Sequence, residues 1–397
     1  MTELNLDINR IKYNLETMAN LYNNETVGYT RLAFSNEEEQ AIGWVKNELE
    51  LIGAEVRIDS IGNLFGRIGP KDVAAVAFGS HLDTVRQGGL YDGALGVMVG
   101  LECLRFLKEN QYDQRTAYEL ICFKAEEGNP LGGTFGSRAV TGKIDFNNVD
   151  LHLLDSYNIQ KDYILQAKKD FPKYKSFLEL HIEQGTVLED NNNKIGIVTN
   201  IAGISRNHIS VKGSAGHSGT MPMLSREDAL VKASEIVVYI HEEAKKLQDG
   251  TVATIGELNV NPNLPTVIPG SVDFTFEVRG GKQTSINSFE QKICEWIENN
   301  YSAEIVKGVR KDSNQLSSRV IDKLNQAATE LNIPVLELVS GANHDANSLT
   351  SHTEVGMVFV PSINGISHNP EEASDWKYIN QAATIMLKTL VNSQNNN

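Results

Sequence analysis

Cysteine is scarce in this chain, with three in 397 residues. Cys103, Cys122 and Cys294 are scattered, odd in number and form no CxxC pair, so no disulfide framework is expected. Cys103 and Cys122 sit in apolar runs and read as core. Long apolar runs are missing as well; none approaches the roughly 20 residues of a membrane span. Met1 to Lys12 is polar and lacks the apolar core of a signal peptide, so a cytoplasmic protein with no membrane partner is expected. Positive charge is in deficit: 36 Lys and Arg stand against 51 Asp and Glu, a formal net charge of −15. That balance disfavours nucleic acid and anionic membranes as partners, and it obliges any anionic ligand to find a local cation. G-x-S-x-G, G-x-G-x-x-G and the P-loop are absent, which removes the serine-hydrolase and nucleotide-binding readings. No internal repeat is visible.

What is present is an ordinary globular mixture, 41% hydrophobic and 22% charged, in a chain longer than one core usually covers, so two domains are expected. Asn36 to Leu51 reads as an amphipathic helix, with Ser35 as cap, Glu37 to Glu39 in the first turn and Gly53 as stop. Val73 to Gly79, Tyr118 to Lys124, Phe177 to Leu180 and Val355 to Val360 read as strands, and Ala94 to Lys108 as a helix. Apolar strands alternating with helices define an α/β fold class, a catalytic domain with a mixed, largely parallel sheet flanked by helices. The texture changes near residue 205. Asn207 to Lys212, Thr251 to Val260, Ser271 to Arg279 and Ala303 to Val309 read as strands, Ser225 to Leu247 and Ser285 to Asn299 as helices. Their β-α-β-β-α-β order is that of a ferredoxin-like α+β domain. The expected organisation is a catalytic domain of residues 1–206 and 316–397, interrupted by an inserted domain of residues 207–315. The Asn-rich tail after Val391 is expected to fray.

In open α/β sheets, ligands gather beyond the carboxyl ends of the strands, and four apolar runs here end in metal-ligand chemistry. His81 and Asp83 follow the first. Side chains at i and i+2 of an extended chain share a side, so Asp83 can hold one ring nitrogen of His81 and leave the other for a metal. Asp92 stands at the mouth of the next helix, Glu126 and Glu127 end the second run, His181 ends the third, and the fourth leads to His368. Each has an ordinary reading by itself: Asp92 as a helix cap, the glutamates as a solvated pair, the histidines as surface hydrogen-bonding groups. Together they would leave like charges facing one another at a single sheet edge unless cations neutralise them. Imidazole with carboxylate favours zinc, manganese, cobalt or nickel over calcium. Five candidate ligands and a spare glutamate suggest two metals sharing one carboxylate and holding a hydroxide between them, with a separate general base.

His81-Leu82-Asp83, Tyr91-Asp92-Gly93, Glu126-Glu127, Leu180-His181-Ile182-Glu183-Gln184-Gly185 and Ile366-Ser367-His368-Asn369-Pro370 resemble, in order, the motifs of the M20 metallopeptidase superfamily. The segment around His181 is similar to its amidase/hydantoinase/carbamoylase branch, as are Thr30-Arg31-Leu32-Ala33-Phe34-Ser35 and Asp59-Ser60-Ile61-Gly62-Asn63. The resemblance implies His81, Asp92 and His181 on one metal and Asp92, Glu127 and His368 on the other, with Asp92 bridging. It implies Glu126 as general base and then acid, Asp83 as the group orienting His81, and a cis peptide between Asp92 and Gly93. The inserted domain would be a lid and a homodimerisation surface. His217, in Gly213 to Thr220, resembles the lid histidine that stabilises the oxyanion. Arg279 resembles the arginine that clamps a substrate carboxylate, and Gln184 the contact to the ureido or amide group. Two positions depart from the pattern: Thr266 stands where the family commonly has asparagine, and Asn343 where it usually has glycine, both in the substrate clamp.

The function implied is hydrolysis of a linear C–N bond in a small carboxylate substrate, N-carbamoyl-L-amino acids foremost. Allantoate hydrolysis, dipeptidase or aminoacylase activity uses the same chemistry, and a non-catalytic metal-binding relative is a rival of another class.

Overall fold

The computed structural model describes residues 4–23, 25–147, 149–192 and 194–393. The chain forms two compact units: Met1–Thr199 with Leu316–Leu338 and Ala342–Asn397, and Asn200–Gln315 with Val339–Gly341.

The first unit is organised by strands buried on both faces. Its first six strands are β1 (Glu55–Ile58), β2 (Leu64–Ile68), β3 (Val76–His81), β4 (Tyr118–Phe123), β5 (Ser176–Ile182) and β6 (Gly196–Ile201), and Glu354–Val360 follows late in the chain. Across the sheet they run β1, β2, β4, β3, β5, Glu354–Val360, β6. Every residue of β3, β4 and β5 is buried, as expected of strands covered by helices on both sides. The four central strands are parallel, and the pairs at both margins are antiparallel, so the sheet is mixed. The register aligns their carboxyl ends: His81 lies opposite Phe123, and His181 opposite Phe359. One edge therefore collects the exits of all four parallel strands. β3 starts three residues later than its apolar run suggests and continues into His81, because the ladder with β4 holds to that residue.

Two helices bear on this edge, α2 (Asn36–Ile52) through Glu38 and α3 (Ala94–Glu109) through its start, while α1 (Ile8–Leu21) packs on α3. Ser35 caps α2 by accepting from Glu38 N–H, and Gly53 ends it in the left-handed region at φ 79°. α3 is buried along most of its length and begins immediately after Asp92-Gly93. The final helix, Trp376–Asn392, ends just past the point where fraying was expected; residues 394–397 lie outside the described residues.

The second unit is an antiparallel sheet ordered Leu258–Asn261, Ser271–Gly280, Gly203–Lys212, Ala303–Lys311. Helices Ala229–Ala244 and Gln283–Asn300 contribute Ala233, Ile236, Ile240, Ile286, Ile293 and Ile297 to its core. Several boundaries differ from the sequence reading, the strand expected from Asn207 starting at Gly203 among them. The first helix starts at Ala229 because Asp228 caps it, accepting from Leu230 and Val231 N–H. The run Thr251 to Val260 splits into Val252–Thr254 and Leu258–Asn261, where Thr275 Oγ1 takes Glu257 N–H out of the regular ladder. Among the described residues, no helix is long and apolar enough to cross a membrane.

Candidate metal centre and active site

The strand exits bring His81, Asp92, Glu126, Glu127, His181 and His368 together. Ligand atoms of His81, Asp92 and His181 all lie within 4.8 Å of one another, and so do those of Asp92, Glu127 and His368. The two groups share Asp92, and its two oxygens face opposite ways. Oδ1 is 3.1 Å from His181 Nε2 and 3.6 Å from His81 Nε2, while Oδ2 is 3.1 Å from His368 Nε2. His368 Nε2 is also 3.4 Å from Glu127 Oε1.

The imidazole tautomers follow from their backbone partners. His81 Nδ1 is 3.0 Å from the carbonyl oxygen of Asp83, and His181 Nδ1 is 2.9 Å from that of Ile182. A carbonyl can only accept, so each Nδ1 carries a proton and each Nε2 keeps its lone pair as a candidate ligand, that of His181 also facing Gly93 N–H at 3.3 Å. In a neutral ring that lone pair would face a carboxylate lone pair of Asp92. A cation between them, proton or metal, removes the repulsion. Glu127 Oε1 is buried and accepts no hydrogen bond, which also fits a cation-binding role. The donor set, imidazole with carboxylate, suits zinc or manganese.

Burial lowers the His81 pKa, but Glu126, Asp83 and Asp92 outweigh it and hold the imidazole well above its ordinary value. The His368 imidazole is pushed up to about 10, first by Asp92 and then by Glu127. Burial would raise Asp92, yet His181, His368 and His81 hold it well below the usual carboxylate range. Glu126 goes the other way. Burial pushes it well above the ordinary value against the pull of His81, with Asp345, Glu127 and Asp83 adding negative charge. A carboxyl displaced upward in a cleft is suited to proton transfer near neutral pH. Its Oε2 lies 3.7 Å from His81 Nε2.

One expectation is corrected. The Asp92–Gly93 bond is trans; among the described residues the cis peptide is Asn261–Pro262. Gly93 makes the turn with a φ of 64° instead, and a Cβ there would stand 2.3 Å from the His81 ring. Gly93→Ala is therefore expected to destabilise the protein by about 1–3 kcal/mol and to displace His81, read as a lower melting temperature and weaker metal retention. Asp83 stands beside the His81 ring. Its carboxylate comes within 3.4 Å of His81 Nδ1, but its own carbonyl is closer, and its two oxygens accept from Glu126 and Glu127 N–H at 3.0 and 2.9 Å.

Gln184, at φ 59°, donates through Nε2 to Asp92 Oδ2 at 2.7 Å and to Ser367 Oγ at 3.2 Å. Asn343 accepts from Asn347 and reaches Thr134. His217, Thr266 and Arg279 belong to the second unit. There, Val267 pairs with His217 and Ser218 N–H donates to the Thr266 carbonyl, so these two positions share one loop cluster, both exposed. Arg279 Nε donates to Glu277 Oε1 at 2.6 Å, and Glu277 also accepts from Arg206.

Three groups escaped the sequence reading. Glu372 Oε1 accepts from Tyr91 and Asp92 N–H while Oε2 accepts from Ser367, fixing the Asp92 turn to the His368 loop. Asp345 is fully buried, neither carboxylate oxygen accepts a hydrogen bond, and burial together with Glu179 pushes it up to about 8. His344 stacks edge-on with His181, ring centroids 4.5 Å apart. The only sequence signals were the acidic pair after His368-Asn369-Pro370 and the His-Asp pair after Asn343, each indistinguishable from surface charge.

An α/β architecture with a candidate metal centre sharing one carboxylate and an inserted antiparallel domain is the class these features define. Residues 77–392 match peptidase family M20/M25/M40, and the chain belongs to it, within the hydantoinase/carbamoylase amidase branch. It is 34% identical over 385 residues to an N-carbamoyl-L-amino-acid amidohydrolase of Paenarthrobacter aurescens, covering 92% of this chain and 93% of that one. It is 33% identical over 365 residues to an allantoate amidohydrolase of Bacillus subtilis (strain 168), covering 87% and 88%. The crystal structure of an amidase of the hydantoinase/carbamoylase family from Burkholderia multivorans superposes with a TM-score of 0.88 at 27% identity, covering 98% of both chains. The protein is a hydrolase of this branch.

Proposed function

We propose that this chain hydrolyses a linear, non-peptide C–N bond of a small carboxylate substrate, N-carbamoyl-L-amino acids first among them, yielding the amino acid, carbon dioxide and ammonia. The observation carrying this reading is the pair of three-ligand groups sharing Asp92, with Glu126 beside them and outside both. His81, Asp92 and His181 would hold one divalent ion, and Asp92, Glu127 and His368 the other, zinc or manganese. When bound, such ions supply positive charge to a carbonyl oxygen and make a water deprotonable near neutral pH. Glu126 takes that proton and delivers it to the leaving nitrogen. Asp83 fixes the backbone of both glutamates and, through its carbonyl, the tautomer of His81.

The second unit acts as the lid and as a homodimerisation surface. His217 stabilises the developing oxyanion, and Gln184 meets the ureido group after exchanging its bond to Asp92. Arg279 pairs with the substrate carboxylate through its terminal nitrogens, its Nε being held by Glu277. Thr266 and Asn343 shape the space around that carboxylate. Arg279→Ala is expected to raise KM for carboxylate substrates about 10- to 100-fold with little change in kcat, since a charge-assisted hydrogen bond contributes roughly 1.5–3 kcal/mol. An unchanged KM removes the clamp role.

Substrate identity is tested with N-carbamoyl-L-amino acids, allantoate and dipeptides, each assayed with Mn²⁺ or Zn²⁺. The expected result is fastest turnover of a carbamoyl amino acid. Preference for allantoate would reassign the substrate within the branch, and no turnover by fully loaded protein would overturn the enzymatic reading.

A further inference from the structure

Four consecutive backbone N–H groups at the exit of β4 are each held by a side-chain acceptor. Lys124 N–H donates to Asn63 Oδ1 at 2.9 Å and Ala125 N–H to Glu38 Oε1 at 2.7 Å. Glu126 and Glu127 N–H donate to the two oxygens of Asp83 at 3.0 and 2.9 Å. Asn63, Glu38 and Asp83 come from three separate segments and are all fully buried. Ala125 between them sits at φ 56°, a conformation that alanine does not favour by itself. External partners must therefore hold the turn that aims Glu126.

The acceptors are fixed in their turn. Asn63 Nδ2 donates to Asp59 Oδ2 at 2.8 Å, which sets the amide so that its oxygen faces Lys124 N–H. Glu38 Oε2 accepts from Phe34 N–H at 2.6 Å, and Lys124 Nζ lies 3.3 Å from it. Arg31, buried, donates through Nε to the Leu82 carbonyl at 2.6 Å, and its charge acts on both Asp83 and Glu38. Two carboxylates and two cations thus form a buried cluster beneath the Glu126-Glu127 pair. Gly136 leaves room for it: a Cβ there would meet Asn63 Oδ1 at 2.3 Å and the Lys124 backbone.

We propose that Glu38 and Asn63 are positioning residues for the proton-transfer step, presetting the backbone at Lys124 and Ala125 so that Glu126 points at the reacting atoms. This rests on the reading of Glu126 as general base. A glutamine at position 38 offers one acceptor oxygen to the two N–H groups of Phe34 and Ala125, and its own NH₂ opposes the other. Releasing Ala125 lets it relax towards the right-handed region and swings the following side chain. Misplacement of a reacting group by about 1 Å can cost on the order of 10²-fold in rate.

The test is Glu38→Gln in the full-length, metal-loaded protein, with Asn63→Ala as a second variant. Expected for both is a kcat about 10- to 100-fold lower, with KM within about twofold of the parent. Metal content per chain should match the parent, because Asp83 still holds Glu127. In Glu38→Gln the Ala125 amide should exchange faster with solvent while amides of β4 keep their protection. Parent-like kcat in both variants, or kcat, KM and metal content changing together, overturns the proposal. If Glu38→Gln does not fold, Asn63→Ala decides by the same criteria. Failure of the general-base reading appears separately, as an active Glu126→Gln enzyme.

Discussion

Glu126→Gln is expected to lower kcat by about 10²–10⁴-fold, the range spanned by general acid–base catalysis, while both metal sites still fill. Glu126 belongs to none of the three-ligand groups, the two that share Asp92 and the third of Glu179, His181 and His344, so its loss removes no donor. Its N–H bond to Asp83 Oδ1 is a backbone contact that glutamine keeps, and the side-chain volume is nearly unchanged. What disappears is an oxygen able to accept a proton and then return it. Burial has already pushed this carboxyl well above the ordinary value, with His81 opposing. Steady-state kinetics with metal analysis on the same preparation checks the result. A kcat drop with two ions per chain and a KM close to the parent matches the expectation. An undiminished kcat removes Glu126 from the reaction, and a drop accompanied by metal loss makes it a ligand instead.

Much of the ligand constellation could be read from the sequence because His81, Glu126, Glu127 and His181 close apolar runs whose ends the parallel register carries to one edge, while Asp92 and His368 arrive there on the loops that follow. His81 and His181 needed only strand pairing to meet. Glu38 shows where such reading stops. In the sequence it is one of three acidic residues in the first turn of a helix, where solvent exposure is the ordinary fate. In the structure it is fully buried, and its partner Ala125 lies 87 residues away. Glu372 escaped for the same reason: its partners Tyr91 and Asp92 come from the opposite end of the chain. Period-two geometry placed Asp83 beside His81, and its carboxylate comes within 3.4 Å of the ring nitrogen. The spacing did not reveal that its carbonyl stands closer, at 3.0 Å, or that the carboxylate also accepts from Glu126 and Glu127 N–H. The strand from Thr251 to Val260 looked continuous because the interruption is caused by Thr275 on its neighbour.

Asp92→Asn is expected to empty both metal sites at once and bring activity to background. Asp92 is the residue common to the two ligand groups, and among the described residues its two oxygens alone are paired with all three imidazoles. Asparagine offers one neutral oxygen, and the NH₂ replacing the other directs protons at an imidazole nitrogen that must act as a ligand. The contrast with single-site changes carries the argument. His81→Ala removes a donor from one group only and Glu127→Gln from the other, so each should retain about one ion per chain at metal concentrations that saturate the intact group. Stability supplies a readout independent of turnover. Metal at 100 times its dissociation constant stabilises the folded state by about 2.7 kcal/mol per site, so the parent's melting temperature should climb with added Mn²⁺ or Zn²⁺. In Asp92→Asn that climb should vanish, and in His81→Ala and Glu127→Gln it should be roughly halved. Treating the parent with a chelator should reproduce the Asp92→Asn phenotype, with restoration by metal in the parent and none in the variant. If Asp92→Asn binds one ion normally, the carboxylate serves a single site and the two ligand groups do not share a bridge.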